Sequence, residues 1–238
     1  MPRRAALSDE SQQALEQIRG LSAPFPVLSR GQTASLVDLK SSLADHLPRS
    51  LALLVGATIV VLFLMTGSVL LPFKALAMNV LTLSAAFGIL VLIFQDGRLE
   101  DLLGYTSQGA LEATQPIFLF AVAFGLSTDY GVFLLSRIKE ARDDGLANDE
   151  AVAVGLERTG RIVTAAALLF CIAVGAFATS QIIFLKELGV GTALAVVIDA
   201  TIIRALLVPS LMRLLGERNW WTPAPLRRLH ARIGLNEA

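Results

Sequence analysis

The 238-residue chain is poor in charge, aromatic rings, cysteine and histidine, and each shortage removes a class of protein. Charged side chains make up 17% of it, where soluble domains carry about 25%. Its 20 basic groups balance 20 acidic ones, so no basic surplus is left to hold a nucleic acid. The one cysteine, Cys171, excludes a disulfide scaffold and a cysteine-based zinc site. His46 and His230 lie far apart, which argues against a histidine metal centre. No Walker A sequence, no Ser/His/Asp arrangement and no HExxH occurs. The chain is therefore expected to have no metal, no cofactor and no enzymatic activity.

What remains is aliphatic. Hydrophobic residues make up 54% of the chain, aromatics only 7%, and the mean hydropathy is +0.64. A membrane span needs about 20 mostly apolar residues. Five segments qualify, at about 50–71, 75–94, 116–136, 162–181 and 188–212. Lipid offers no partner to unpaired backbone groups, so each must be helical. The fold class is an all-α integral membrane protein with a bundle of five transmembrane helices.

The connections are read as follows. Leu71-Pro72-Phe73-Lys74 is expected to be a tight turn closing a helical hairpin, and a few residues around Lys186 form the last connection. The segment 95–115 carries Asp96, Glu100, Asp101 and Glu112 against Arg98 alone. In 137–161 the apolar positions Ile138, Leu146, Ala151, Val152, Val154 and Leu156 fit an amphipathic helix lying at the membrane surface.

Lysine and arginine mark the cytoplasmic side. Lys74, Arg137, Lys139, Arg142, Arg158, Arg161, Arg213, Arg218, Arg227, Arg228 and Arg232 would share one side, against Arg98 and Lys186. The expected topology has residues 213–238 as a cytoplasmic tail and 1–49 outside. That N-terminal stretch holds basic groups but no signal-peptide core, so the chain is expected to be the second part of something larger.

Three charges fall inside the spans: Asp129, Asp199 and Arg204. Each costs about 2.5–3.5 kcal/mol at a helix centre, so such residues face a bundle interior or a water path. Burial in lipid favours the neutral acid, so Asp129 could load and release a proton, with Tyr130, Ser127 and Thr128 as hydrogen-bond partners. The alternative is a carboxyl paired purely for assembly. In α geometry five residues turn through about 500°, leaving Asp199 and Arg204 about 140° apart. They are expected to be structural charges that do not pair with each other. Thr164, Ala167, Cys171, Gly175 and Ala178 form a small-residue packing stripe, with Thr164 a further hydrogen-bond candidate. Asn79 is read as interhelical glue and Trp220-Trp221 as an interfacial belt.

GLSTDYGVFLLSRIKEARDDG (Gly125–Gly145), continuing through AVAVGLERTGRIVTAAALL (Ala151–Leu169), resembles the mycobacterial membrane protein large (MMPL) family of the resistance-nodulation-division transporter superfamily. GQTASLVDL (Gly31–Leu39), LLPFKALAMNVLTLSAAFGILVLIFQDG (Leu70–Gly97) and DATIIRALLVPSLMRLLGERNWWTP (Asp199–Pro223) follow the family in order. The resemblance implies two similar six-helix halves, each with a large extracytoplasmic domain, of which this chain matches the last five helices. Residues 1–49 would be a remnant of the second such domain. Asp129 and Tyr130 would be the second of two Asp-Tyr proton-relay pairs. The implied function is the C-terminal membrane part of a proton-driven exporter of lipids or other hydrophobic compounds in a bacterial inner membrane, not competent alone. Its partners would be membrane lipids, a hydrophobic or lipid substrate, and a first-half MMPL polypeptide or further copies of itself. The alternatives are a non-transporting lipid-binding or sterol-sensing-like module, or an inactive truncated gene product.

Overall fold

The computed structural model describes residues 8–22, 24, 28–107, 109, 111 and 114–233. Residues 1–7 of the N-terminal stretch, Glu112 of the acidic loop and residues 234–238 of the tail lie outside the described residues. The contacts divide the chain into two units, 1–55 and 56–238.

In the first unit α1 (Asp9–Arg19) is capped by Ser8, whose Oγ accepts from the Ser11 amide at 3.3 Å. Arg19 reaches Asp38 through both Nη atoms, at 2.5 and 3.1 Å, and donates Nε to Ser29 Oγ at 2.8 Å. Asp38 lies on α2 (Gln32–Thr66), a helix polar up to Pro48 and then apolar to its end.

The second unit is the helical bundle. After α2 come α3 (Leu70–Leu90), continued by a π-helical turn Val91–Gln95, and the short α4 (Glu100–Leu103). Then follow α5 (Gln115–Asp143) and α6 (Asn148–Gly175), which ends in a 3-10 turn at Ala176–Thr179. The last span is α7 (Ile183–Ile198), a π-helical stretch Asp199–Leu207 and α8 (Val208–Leu215). A 3-10 turn, Gly216–Trp220, leads to α9 (Ala224–Ile233). Among the described residues five helices are long and apolar enough to cross a membrane, and there is no strand. The fold is an all-α membrane bundle, with α3, α5, α6 and α7 packed on one another.

Three connections differ from the sequence reading. The hairpin turn lies at 67–69, not at Leu71–Lys74. Gly67 takes φ +69°, open to glycine without strain, and Ser68 Oγ accepts from the amides of Leu70 and Leu71 at 3.1 and 3.3 Å. Pro72 then sits in the first turn of α3, where its missing N–H breaks no helical bond. Lys186 lies not in a loop but in the first turn of α7, buried, donating to the carbonyls of Leu103 and Gly104. The last connection is 180–182.

The third difference is larger. The segment 137–161 is no separate surface helix but the ends of α5 and α6, joined by a turn at 144–147. Its apolar residues cover each other: Ile138, Ala151 and Val152 are buried in one cluster with Leu62, Leu134 and Met212, and Leu146, Val154 and Leu156 pack against it. At Gly155 a Cβ would overlap Ile138, so glycine is what lets the two helices meet. The amphipathic pattern was real; it faces the partner helix instead of lipid.

Candidate functional site

The site lies where α3, α5 and the π-helical stretch of the last span converge. Asp199 and Arg204 are both buried and form an ion pair, Arg204 Nε to Asp199 Oδ2, at 2.6 Å. This overturns the expectation that they stay apart. The 140° separation assumed i→i+4 winding, whereas residues 199–207 follow the wider i→i+5 pattern, closed by the Val208 amide on Ile203 O. That widening brings a residue and its fifth successor close to one face. Two charges that would each be costly in lipid thereby neutralise one another within one helix.

Around the pair, polar groups of the other helices close in. Ser127 Oγ is 2.6 Å from Asp199 Oδ1 and 2.7 Å from Asn79 Oδ1. A hydroxyl has one proton, so it serves one of these acceptors at a time. Asn79 Nδ2 donates to Thr128 Oγ1 at 3.1 Å, and Thr82 Oγ1 lies 3.4 Å from Asp199 Oδ1. Arg204 Nη2 donates to Ser127 O, and the guanidinium carbon lies 5.4 Å from the centre of the Tyr130 ring. The remaining Nη1 is buried without a partner among the described residues. Asn79, Thr128, Asp199 and Arg204 line a cavity of about 50 Å³ that extends to Lys74 and Met212. Waters need roughly 10–15 Å³ each on this measure, so several fit.

Asp129 is not in this network. Two residues along an α-helix turn through about 200°, so where Ser127 faces the interior, Asp129 points away and is exposed. Among the described residues nothing bonds to it. Ser127 and Thr128, expected as its partners, bond to Asp199 and Asn79 instead. Tyr130 is half-buried beside Arg204, so the Asp-Tyr pair straddles the helix, one side chain outward and one inward. The outward strip of α5 also carries Phe118, Ala121 and Gly125.

Thr164 is exposed and is not one of the groups bonded in the site. Cys171 and Ala178 of its stripe touch the last span, whereas at Gly175 a Cβ would meet nothing within 4 Å. A Cβ at Gly189 would lie 2.6 Å from Val174 O and 2.8 Å from Phe177 Cβ, and Cys171 Sγ is 3.6 Å from Ala193 O.

Two polar centres carried no signal in the sequence. Asn219, fully buried, donates Nδ2 to Met212 O and Gly216 O at 2.6 Å each, and its Oδ1 accepts from Lys74 Nζ at 2.7 Å. Ser68 Oγ donates to Asn219 O at 2.5 Å, tying the hairpin turn to the end of the last span. At the opposite end of the bundle Tyr105 donates to Ile93 O and meets the Phe94 ring at a tilt, with ring centres 4.9 Å apart. Burial, reinforced by Glu100 and Glu187, pushes its phenol up from the ordinary 10.0.

The sequence matches the MMPL family model over residues 8–233. A membrane protein of Streptomyces coelicolor is 45% identical over 233 residues, covering 98% of this chain and 33% of that protein. The trehalose monomycolate exporter MmpL3 of Mycobacterium tuberculosis is 42% identical, over 96% of this chain and 24% of the exporter. The mycolic acid-containing lipids exporter MmpL11 of Mycolicibacterium smegmatis is 37% identical, over 84% and 21%. The chain thus spans a fifth to a third of the length of these relatives.

Proposed function

Because the chain belongs to the MMPL family, we propose that it is the C-terminal membrane part of a proton-driven exporter of lipids or other hydrophobic compounds. The relatives named above as exporters act on lipids, and the same substrate class is proposed here. The observation that carries the reading is Asp129: a carboxyl in the middle of an apolar helix, turned outward and left without a partner among the described residues of its own chain. A charge so placed is costly in lipid and cheap against a second polar helix. The outward strip supports such docking, since at Gly125 a Cβ would meet nothing within 4 Å and small residues let helices approach closely. The partner is a first-half polypeptide of the same family or a second copy of the chain.

Asp129 and Tyr130 form the proton relay, joined to the interior through the Tyr130–Arg204 contact. Protonation of Asp129 removes its charge and changes its hold on the partner helix. Tyr130 passes that change to Arg204, whose pairing with Asp199 fixes the hydroxyl of Ser127. The basic side of the bundle, which includes the Gly67–Val69 and 144–147 turns, faces the cytoplasm.

The test is proton-dependent lipid export by the complete assembly carrying Asp129→Asn. Export falls at least ~100-fold, a loss of about 2.7 kcal/mol of coupling, while insertion and thermal stability stay at wild-type values. Full export by this variant would sink the assignment and favour a lipid-binding module.

A further inference from the structure

We propose that α9 (Ala224–Ile233) is a lipid-recognition element that binds the headgroups of anionic phospholipids. The observation behind it is an imbalance among the basic groups on this side of the bundle. Arg137 pairs with Glu140 at 2.6 Å, Lys139 with Asp143 at 2.5 Å, Arg213 with Asp149 at 3.2 Å, and Arg142 with Glu217. Arg227, Arg228 and Arg232, like Arg161 and Arg218, are exposed, and among the described residues none of their side chains has an ion pair or a hydrogen bond. No acidic residue lies on α9. Three cations on one short helix are thus left for something outside the protein to neutralise.

The depth of the helix says what that is. His230 Nε2 donates to Leu64 O at 3.0 Å, and its ring meets Phe63 edge-on at 5.8 Å. A Cβ on Gly67 would come within 3.0 Å of the imidazole, so the helix sits tightly on the end of α2. Phe63 and Leu64 belong to the apolar run of that helix, which places His230 at the level where acyl chains begin. At 100° per residue Leu226, Leu229, His230 and Ile233 share one face, and the three arginines occupy the other. Leu229 is 45% exposed and Ile233 54%, and Trp221, just ahead of the helix, is 60% exposed. A soluble partner would have to cover these apolar groups at membrane depth; the bilayer covers them without further cost. An apolar face at acyl level under a basic face at headgroup level is the arrangement of an interfacial helix, and the basic face selects negative lipids.

The experiment uses the only two tryptophans of the chain, Trp220 and Trp221, both at the entrance to α9. The full chain is reconstituted in phosphatidylcholine vesicles containing equal fractions of brominated phosphatidylglycerol or brominated phosphatidylcholine, and tryptophan quenching is compared. Stronger quenching by the brominated anionic lipid is expected. That preference should be lost in the triple variant Arg227→Gln, Arg228→Gln, Arg232→Gln, and reduced in the wild type by ~1 M salt. Circular dichroism confirms that the variant keeps its helices; a charge-neutral His230→Gln variant should keep the preference if it folds. Equal quenching by both lipids, or a preference unchanged in the triple variant, would overturn the proposal. The orientation proposed above makes this the cytoplasmic leaflet, but the quenching needs neither transport nor an assignment of sides. Its failure would therefore leave the exporter reading standing.

Discussion

Two carboxylates lie at nearly the same level of the bundle and live opposite lives. Asp199 is buried, paired with Arg204 at 2.6 Å and within reach of the Ser127 hydroxyl. Asp129, two residues along the helix from Ser127, is exposed and bonds to nothing among the described residues. Asp199 is completed inside the chain and so contributes to how the bundle holds together. Asp129 is left incomplete, so its worth has to come from outside. The same chemical group thus serves assembly on one side of α5 and, in our account, coupling on the other.

Substitutions on the two sides should separate cleanly. The largest effect on stability is expected from Arg204→Met, which leaves a buried carboxylate unpaired and should cost about 3–5 kcal/mol. Asp199→Asn combined with Arg204→Met should recover a large part of it, and thermal denaturation of the three variants in detergent measures the coupling. Asp129→Asn should leave that same denaturation curve in place. A shift comparable to that of Arg204→Met would erase the contrast.

A smaller effect, about 1–3 kcal/mol, is expected for Gly189→Ala, because its Cβ would press on the Val174 carbonyl and the Phe177 side chain. Tyr130→Phe keeps the ring beneath Arg204 and should change stability by less than about 0.5 kcal/mol, while altering the pH dependence of export.

The mildest prediction concerns the loop around Tyr105. Its phenol is held above 10.0 in the folded chain, so the protonated form is favoured by folding. The loop keeps this contribution below pH 10.0 and loses it as pH rises through the folded value. Hydrogen exchange at Ser107 and its neighbours, compared with a Tyr105→Phe variant, reads the change.

How much of this was legible in the sequence depends on the kind of signal. The five spans stood out because a run of about 20 apolar residues matches the thickness of the hydrocarbon and is rare in water-soluble folds. Asp129, Asp199 and Arg204 stood out because lipid makes charge rare. Their directions did not. A helix apolar all round has no polar face from which to infer an interior, so nothing marked Ser127 as inward and Asp129 as outward. The Asp199–Arg204 pair was misjudged because the local winding changes from α to π, and residues 199–207 carry no proline or glycine that would announce it. The stretch 137–161 misled in the opposite way: its periodicity was sound, but periodicity does not say whether lipid or a neighbouring helix covers the apolar face. Asn219 was invisible, since one asparagine in a polar tail looks like any other.

The claim that Asp129 faces a second polypeptide can be tested at that residue. A photo-crosslinking amino acid is placed at position 129, and for comparison at exposed Ile162 on α6, and irradiated in native membranes. The account predicts that position 129 captures a first-half family member or another copy of this chain, while position 162 captures lipid. Capture of lipid alone from both positions would contradict it.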